Sequence, residues 1–369
     1  LAPLNFLQQE QHPDERTATA STVTIHPPIP PSTLPPPPVP SSPTATTPAS
    51  TPTTTINFQH LITHFGHVTA PVTNCKSGHK IVLSVSEFLT QWQQGQSLHR
   101  YMKDWHLVRD FPTYNAYTTP SPFATDWLND WWVHPEGRAL WAQMNQLEHS
   151  NNDYRFCYMG CKGTWTGLHH DVMCSFSWSA NVIGRKLWRL FSPTETHKLY
   201  HRQMKDQLVI DTRTNMYDAN DYPHVSSAIY AEIVQEEGEI MFVPSGWHHQ
   251  VHNIDDCISI NHNWLNGCCI GRVWEYVKGR WEATKAVICH LEEAMDAIEF
   301  AQCCSKIMGA DIGLTPAEFV AMLAFWKRRL RTTEFHNSND SARWLCSVRD
   351  ECQQIWPHLF EVTVKEAAF

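Results

Sequence analysis

Apolar and polar residues alternate through much of residues 154–264. From Asn266 onward the apolar positions instead recur every three or four residues. The first spacing is that of half-buried strands and the second that of amphipathic helices. "GEIMFVPSGWHHQVHNIDDCISINHNWLN" predicts a strand at 239–243, a Pro-Ser-Gly turn, a strand at 247–252, an Asn-Ile-Asp-Asp turn and a strand at 257–264. "VWEYVKGRWEATKAVICHLEEAMDAIEFAQCCSKIM" and "TPAEFVAMLAFWKRRLRTTEF" predict helices whose apolar stripes pack on the preceding domain or form a homodimer interface. Upstream, "INFQHLITHFGHVTAPVTNC" predicts a short helix and then a strand. A Ser84–Glu87 capping box opens a helix at "SVSEFLTQWQQG". The fold class is mainly β with flanking helices (α+β). The expected division is a disordered Pro/Ser/Thr-rich tail at 1–55, a β domain with helical decoration at 56–265 and a helical region at 266–369. The tail holds more than half of the 24 prolines and lacks the apolar residues that offset ordering entropy.

The faces of these strands are unusual. Ser175, Ser177, Ser179 and Asn181 share one face of a strand, opposite Phe176, Trp178, Ala180 and Val182. Ser259, Asn261 and Asn263 likewise lie opposite Ile258, Ile260 and Trp264. An ordinary antiparallel sheet turns such a polar face to water. A barrel with a polar cavity turns it inward and covers the apolar face with helices, and the helical sequence on both flanks favours that arrangement. At the mouth of the first polar strand stands "TWTGLHHDVMC". In an extended chain His169 and Asp171 point together and His170 points away. The best third ligand is His249, mid-strand in the later region. Two histidines and one carboxylate form a facial triad that leaves positions open on Fe(II). With 22 histidines in the chain, a lone His-x-Asp also reads as ordinary solvated side chains; the polar strands around it tip the balance.

"GRKLW" follows the polar strand. Gly184 permits a tight turn, and Lys186 then starts a strand with Trp188 on the same face. An inward lysine is costly without an anion to meet it. A dicarboxylate with one end on the metal and the other on Lys186 supplies that anion, and Thr166 adds a hydroxyl donor. The bland alternative is a surface lysine at a turn.

The 369 residues carry a net charge of −9, which argues against general nucleic-acid binding. The 12 cysteines show no paired CxxC motifs, and a reducing compartment is expected. No apolar run approaches the length of a membrane span. The chain opens on Leu1 rather than Met, so the true N-terminus is expected to lie upstream. "FWKRRLR" at 325–331 reads as a solvated basic helix face, with contact to an acidic partner or an RNA-associated surface as the alternative.

"GTWTGLHHD", "SFSWSANVIGRKLW" and "VPSGWHHQVHN…ISINHNW", with "YMKDWHLVRDFP", "DWLNDWW" and "DYRFCYMG" upstream, resemble the JmjC family of Fe(II)- and 2-oxoglutarate-dependent oxygenases across residues 57–280. The resemblance implies a double-stranded β-helix (a cupin-like jelly roll) and iron on His169, Asp171 and His249, with His249 preferred to His248 by its place after Pro244. It implies that Lys186 and Thr166 bind the distal carboxylate of 2-oxoglutarate, that Asn263 lies beside this co-substrate, that Tyr101 also reaches the carboxylate, that Tyr158 flanks the target side chain, and that Ser179 stands where asparagine is common. Many members carry proline at the position of Gly167, which puts the rigidity of that loop in doubt. Dioxygen is the second co-substrate. The branch it most resembles hydroxylates a lysine of a translation termination factor, eukaryotic release factor 1. That implies a protein partner, no direct nucleic acid, no membrane and a cytoplasmic location, with the nucleus as a second. Two readings compete: an N-methyl-lysine demethylase acting on chromatin, and a catalytically silent scaffold.

Overall fold

The computed structural model describes residues 23–26, 55–145, 153–332 and 338–357. In chain order the elements are β1 (Val23–His26), α1 (Phe58–Phe65), β2 (Thr69–Asn74), β3 (Lys80–Ser84), α2 (Val85–Gln93), β4 (Arg100–Trp105), α3 (Leu107–Asp110), α4 (Trp127–Val133) and α5 (Pro135–Asn145). The barrel strands follow: β5 (Arg155–Gly160), β6 (Trp165–His169), β7 (Phe176–Ile183), β8 (Lys186–Phe191), β9 (Tyr230–Gln235), β10 (Ile240–Val243), β11 (His248–Asn253) and β12 (Cys257–Trp264). The chain closes with α6 (Ile270–Ile288), α7 (Ala297–Ile312), α8 (Pro316–Thr332) and α9 (Ser338–Ile355).

The strands form two antiparallel sheets, β1-β9-β8-β11-β6 and β10-β7-β12-β5-β4-β2-β3, in the double-stranded β-helix arrangement. Polar residues line the space between them. Behind the seven-stranded sheet, Trp178, Ala180, Val182, Ile258, Ile260 and Trp264 pack with Leu61, Phe65, Phe88, Leu89 and Trp92 of α1 and α2. The apolar face is therefore covered by helices and the polar face turned inward, where Asn261 Nδ2 donates to Ser259 Oγ at 3.0 Å. Ser84 caps α2 by accepting the Glu87 backbone N–H at 3.1 Å. The Glu87 carboxylate accepts from Gln91 at 3.0 Å, so the expected capping box is made on one side only.

The long C-terminal stripes bury against one another and against α4. Trp127, Trp131, Trp274, Phe319, Phe325 and Trp326 belong to one apolar cluster. This corrects the reading of "FWKRRLR" as a solvated face. Phe325 and Trp326 are buried, Arg328 pairs with Glu136 at 2.7 Å, and the Arg329 guanidinium lies 5.8 Å from the Trp326 ring centroid. The aromatic core on this side leaves the long basic stems lying along apolar surface. The tail expectation needs one correction too. Val23–His26 pairs antiparallel with β9, and its β-branched residues suit a strand where the proline run after it does not. The rest of residues 1–54 lies outside the described residues. No single helix among the described residues is long and apolar enough to cross a membrane.

Candidate metal centre

Strand register brings the two histidines together. β6 and β11 pair antiparallel, and His169 stands directly opposite His249. Their ring centroids are 4.3 Å apart. His169 Nδ1 lies 2.8 Å from the Gly167 carbonyl, and His249 Nδ1 lies 3.3 Å from the Trp247 carbonyl. A carbonyl only accepts, so each Nδ1 carries the hydrogen and each Nε2 keeps its lone pair. Burial, reinforced by neighbouring His249, pushes the pKa of His169 down and keeps that imidazole neutral.

Asp171 completes the set from just past the strand. β6 ends at His169, and the extended backbone of Asp171 (φ −66°, ψ 157°) still sends its carboxylate inward before the turn at Val172–Cys174. Asn263 Nδ2 donates to Asp171 Oδ1 at 2.8 Å. Oδ2 is buried with no hydrogen-bond partner and lies 4.0 Å from His249 Nε2. The three donor atoms all lie within 4.8 Å of one another. An orphaned carboxylate oxygen and two imidazole lone pairs converging on one point fit a divalent cation with coordination positions to spare. His170 turns the other way, with its ring 5.2 Å from His248 and 5.4 Å from Tyr276.

Lys186 begins β8 after the turn at Gly184, whose φ of +78° favours glycine. On the β8–β11 ladder Leu190 faces His249 and Lys186 faces Asn253, about 13 Å further along the strand. Lys186 is 2% exposed. Its Nζ donates to Ser259 Oγ at 2.6 Å and to the Tyr101 hydroxyl at 3.4 Å. Among the described residues no carboxylate lies within ion-pair distance of it. Burial lowers its pKa to about 8. Burial also pushes Tyr101 well above the usual phenol range, so that hydroxyl keeps its hydrogen.

The cavity between the sheets encloses about 500 Å3 including its open mouth, and joins these groups. Each sequence-derived candidate faces it: Tyr101, Tyr158, Thr166, His169, Asp171, Ser179, Lys186, His249 and Asn263. The amide of Asn263 is spent on Asp171. Phe156, Ser177, Trp188 and Asn261 also line the cavity and were not singled out from sequence as site residues, although alternation along β5, β7, β8 and β12 puts them on the same face as residues that were. Ser259 had only its polar face to mark it. Gly167 lies within strand β6, not in a loop, and an added Cβ there would meet Ile210 Cγ2 at 3.0 Å and Ile210 O at 3.2 Å, so Ile210 would have to give way to any side chain.

A jelly roll whose cavity holds two histidines and one carboxylate defines a class: cupin-like proteins with a facial donor set for one divalent metal. The signature described as "JmjC domain, hydroxylase" matches residues 156–264. The "2-oxoglutarate and iron-dependent oxygenase JMJD4" of Mus musculus is 36% identical over 304 residues, covering 77% of this chain and 67% of that protein. The protein of the same name in Danio rerio is 40% identical over 281 residues, covering 72% and 62%. The "Arginine-specific demethylase JMJ20" of Arabidopsis thaliana is 38% identical over 279 residues, covering 73% and 59%. The chain belongs to the JmjC family, and it spans about three-fifths of the length of several of these relatives.

Proposed function

We propose that the protein is an Fe(II)- and 2-oxoglutarate-dependent oxygenase that hydroxylates a protein side chain. The observation that carries this reading is the pairing, in one cavity, of a three-donor metal set with a buried lysine that has no carboxylate within ion-pair distance among the described residues. His169, Asp171 and His249 would hold the metal. Lys186, with Thr166 and the Tyr101 hydroxyl, would hold the distal carboxylate of 2-oxoglutarate. Iron and 2-oxoglutarate together supply, with dioxygen, the oxidising power for attack on an unactivated C–H bond. The chain's own contribution is positional. Nδ1–H bonds fix both imidazoles, Asn263 fixes the carboxylate, and the Ser259–Tyr101–Lys186 group orients the diacid.

The finer reading, a lysine of eukaryotic release factor 1 as target, rests on the motif resemblance. The similarity to a relative named as an arginine-specific demethylase supports a second reading, demethylation by the same chemistry. Succinate formation from 2-oxoglutarate with Fe(II) tests the oxygenase. His169→Ala and Asp171→Ala should abolish both succinate and Mn(II)-dependent thermal stabilisation, and unchanged behaviour in either variant refutes the metal assignment. Mass spectrometry of the modified protein separates a gain of about 16 Da from a loss of about 14 Da, the signatures of hydroxylation and demethylation.

A further inference from the structure

One carboxylate, bonded to a tyrosine that lines the cavity, has no role in the site described so far. On the β4–β5 ladder Tyr101 faces Gly160 and Met102 faces Met159, but Trp105, not residue 104, faces Cys157. β4 thus carries one extra residue, a β-bulge. Met102 and Trp105 both remain in the apolar cluster behind the sheet. In an unbroken alternation residue 104 would have followed Met102 into that cluster. The bulge instead places Asp104 at a left-handed φ of 61°. Its carboxylate Oδ1 accepts the Tyr158 hydroxyl at 2.7 Å, and Tyr158 lines the cavity. Bulges of this kind re-aim side chains beside active sites, and strained backbone persists where its surroundings hold it.

The charge around Asp104 is unbalanced. Asp153, just before β5, is by contrast matched twice, by Arg155 and by His106, each at 2.7 Å. Asp104 is half-buried and has no cationic partner within ion-pair distance among the described residues, adjacent Lys103 included. Tyr158, hydrogen-bonded to Asp104, and Phe156 next along the strand face present aromatic rings to the cavity, with centroids 6.3 Å apart. A fixed anion next to two ring faces suits an organic cation, whose charge meets the carboxylate and whose stem lies along the rings.

We propose that Asp104, held by Tyr158, is the anionic anchor that selects a cationic target side chain, a lysine ammonium or an arginine guanidinium, at the cavity. This rests on the oxygenase reading and narrows it: neutral and acidic side chains are rejected because they leave the carboxylate unmatched.

The test uses peptides with randomised flanks and one fixed central residue: lysine, its uncharged analogue norleucine, arginine, or its uncharged analogue citrulline. Peptide-stimulated succinate formation with Fe(II) is read for each. The wild-type protein should favour the cation over its neutral analogue by about tenfold or more. Whether the lysine or the arginine arm responds distinguishes the two sources of positive charge. Asp104→Asn, which tolerates a left-handed φ, should cut that preference to about twofold or less, chiefly through KM. Tyr158→Phe should lower it partway. The 2-oxoglutarate-dependent thermal shift with Mn(II) reads the cofactor site separately and should persist in Asp104→Asn. A wild-type protein indifferent to charge, or an Asp104→Asn variant as selective as its parent, overturns the anchor while leaving the oxygenase standing. Loss of the thermal shift in the wild-type protein itself overturns both.

Discussion

Asn263 Nδ2 donates to Asp171 Oδ1 at 2.8 Å and leaves Oδ2 without a partner. The donor is held from behind. Asn129 Nδ2 donates to the Asn263 backbone carbonyl at 2.8 Å, and Asn129 Oδ1 accepts the Tyr154 backbone N–H at 2.7 Å. One carboxylate oxygen is thereby fixed by the protein and the other is reserved. Asn263→Ala frees the carboxylate to rotate. Mn(II) affinity should fall by about 10- to 100-fold, the usual effect of removing a group that orients a ligand. Titration of Mn(II) against the variant checks this, and a loss of less than about twofold would show that Asp171 is oriented by other means.

Gly184 is the hinge that delivers Lys186 to the cavity. At its φ of +78°, an added Cβ would stand 2.1 Å from the Asp256 carbonyl oxygen and 2.8 Å from Cys257 Sγ. The Asp256 carbonyl is backbone and cannot yield cheaply there. Gly184→Ala should cost about 2–4 kcal/mol of stability, read as a lower urea midpoint with an unchanged slope. Because Lys186 starts its strand two residues later, 2-oxoglutarate should also bind more weakly to the folded variant.

Trp326 links the C-terminal helices to the barrel. Its ring stacks on Trp127 at 5.2 Å, its Nε1 donates to the Trp127 carbonyl at 2.9 Å, and the Trp127 N–H donates to the carbonyl of Leu265, just past β12. Trp326→Ala should destabilise the protein by about 3–5 kcal/mol, as truncation of a buried tryptophan does. Denaturant unfolding measures the loss. A change below about 1 kcal/mol would mean that α8 is held mainly by its other contacts.

Much of this was legible in the sequence because a strand repeats every two residues. Alternation of serine and asparagine with tryptophan and isoleucine assigned the inner and outer faces of β7 and β12. Both ends of each of the three strands around His249 came within a residue of their places, since Pro-Ser-Gly and Asn-Ile-Asp-Asp mark the turns. Asp171 was grouped with His169 by strand spacing, yet it lies beyond the strand and shares its direction only through an extended φ and ψ. Asp104 had no signal. A bulge needs one extra residue with no composition of its own, and aspartate rather than glycine occupies the left-handed position. The pairing of Arg328 with Glu136 was hidden for a different reason: ion pairs between helices distant in sequence have no local period.

Lys186 should make the protein less stable than it would be without it. In the folded chain burial lowers its pKa from 10.5 to about 8, against weaker opposing effects of Cys257 and Cys157. Below pH 8 both folded and unfolded chains carry the charge, and folding bears the full cost of burying it. Between pH 8 and 10.5 the unfolded chain binds more protons than the folded one, so this contribution to stability improves as pH rises. Above 10.5 both forms are neutral and the penalty is gone. The displacement corresponds to roughly 3 kcal/mol. Lys186→Met removes the charge but also the bonds to Ser259 and Tyr101, a loss of about 1 kcal/mol, so the variant should be more stable at pH 7 by about 2 kcal/mol. That advantage should shrink steadily from pH 8 to 10.5. The same variant should lose the extra thermal stability that 2-oxoglutarate confers with Mn(II), because the carboxylate no longer meets a cation. Unfolding curves across this pH range, with and without the diacid, decide the matter: a Lys186→Met protein that is less stable than its parent at pH 7 would mean that the ammonium is already matched within the fold and is not held in reserve for a ligand.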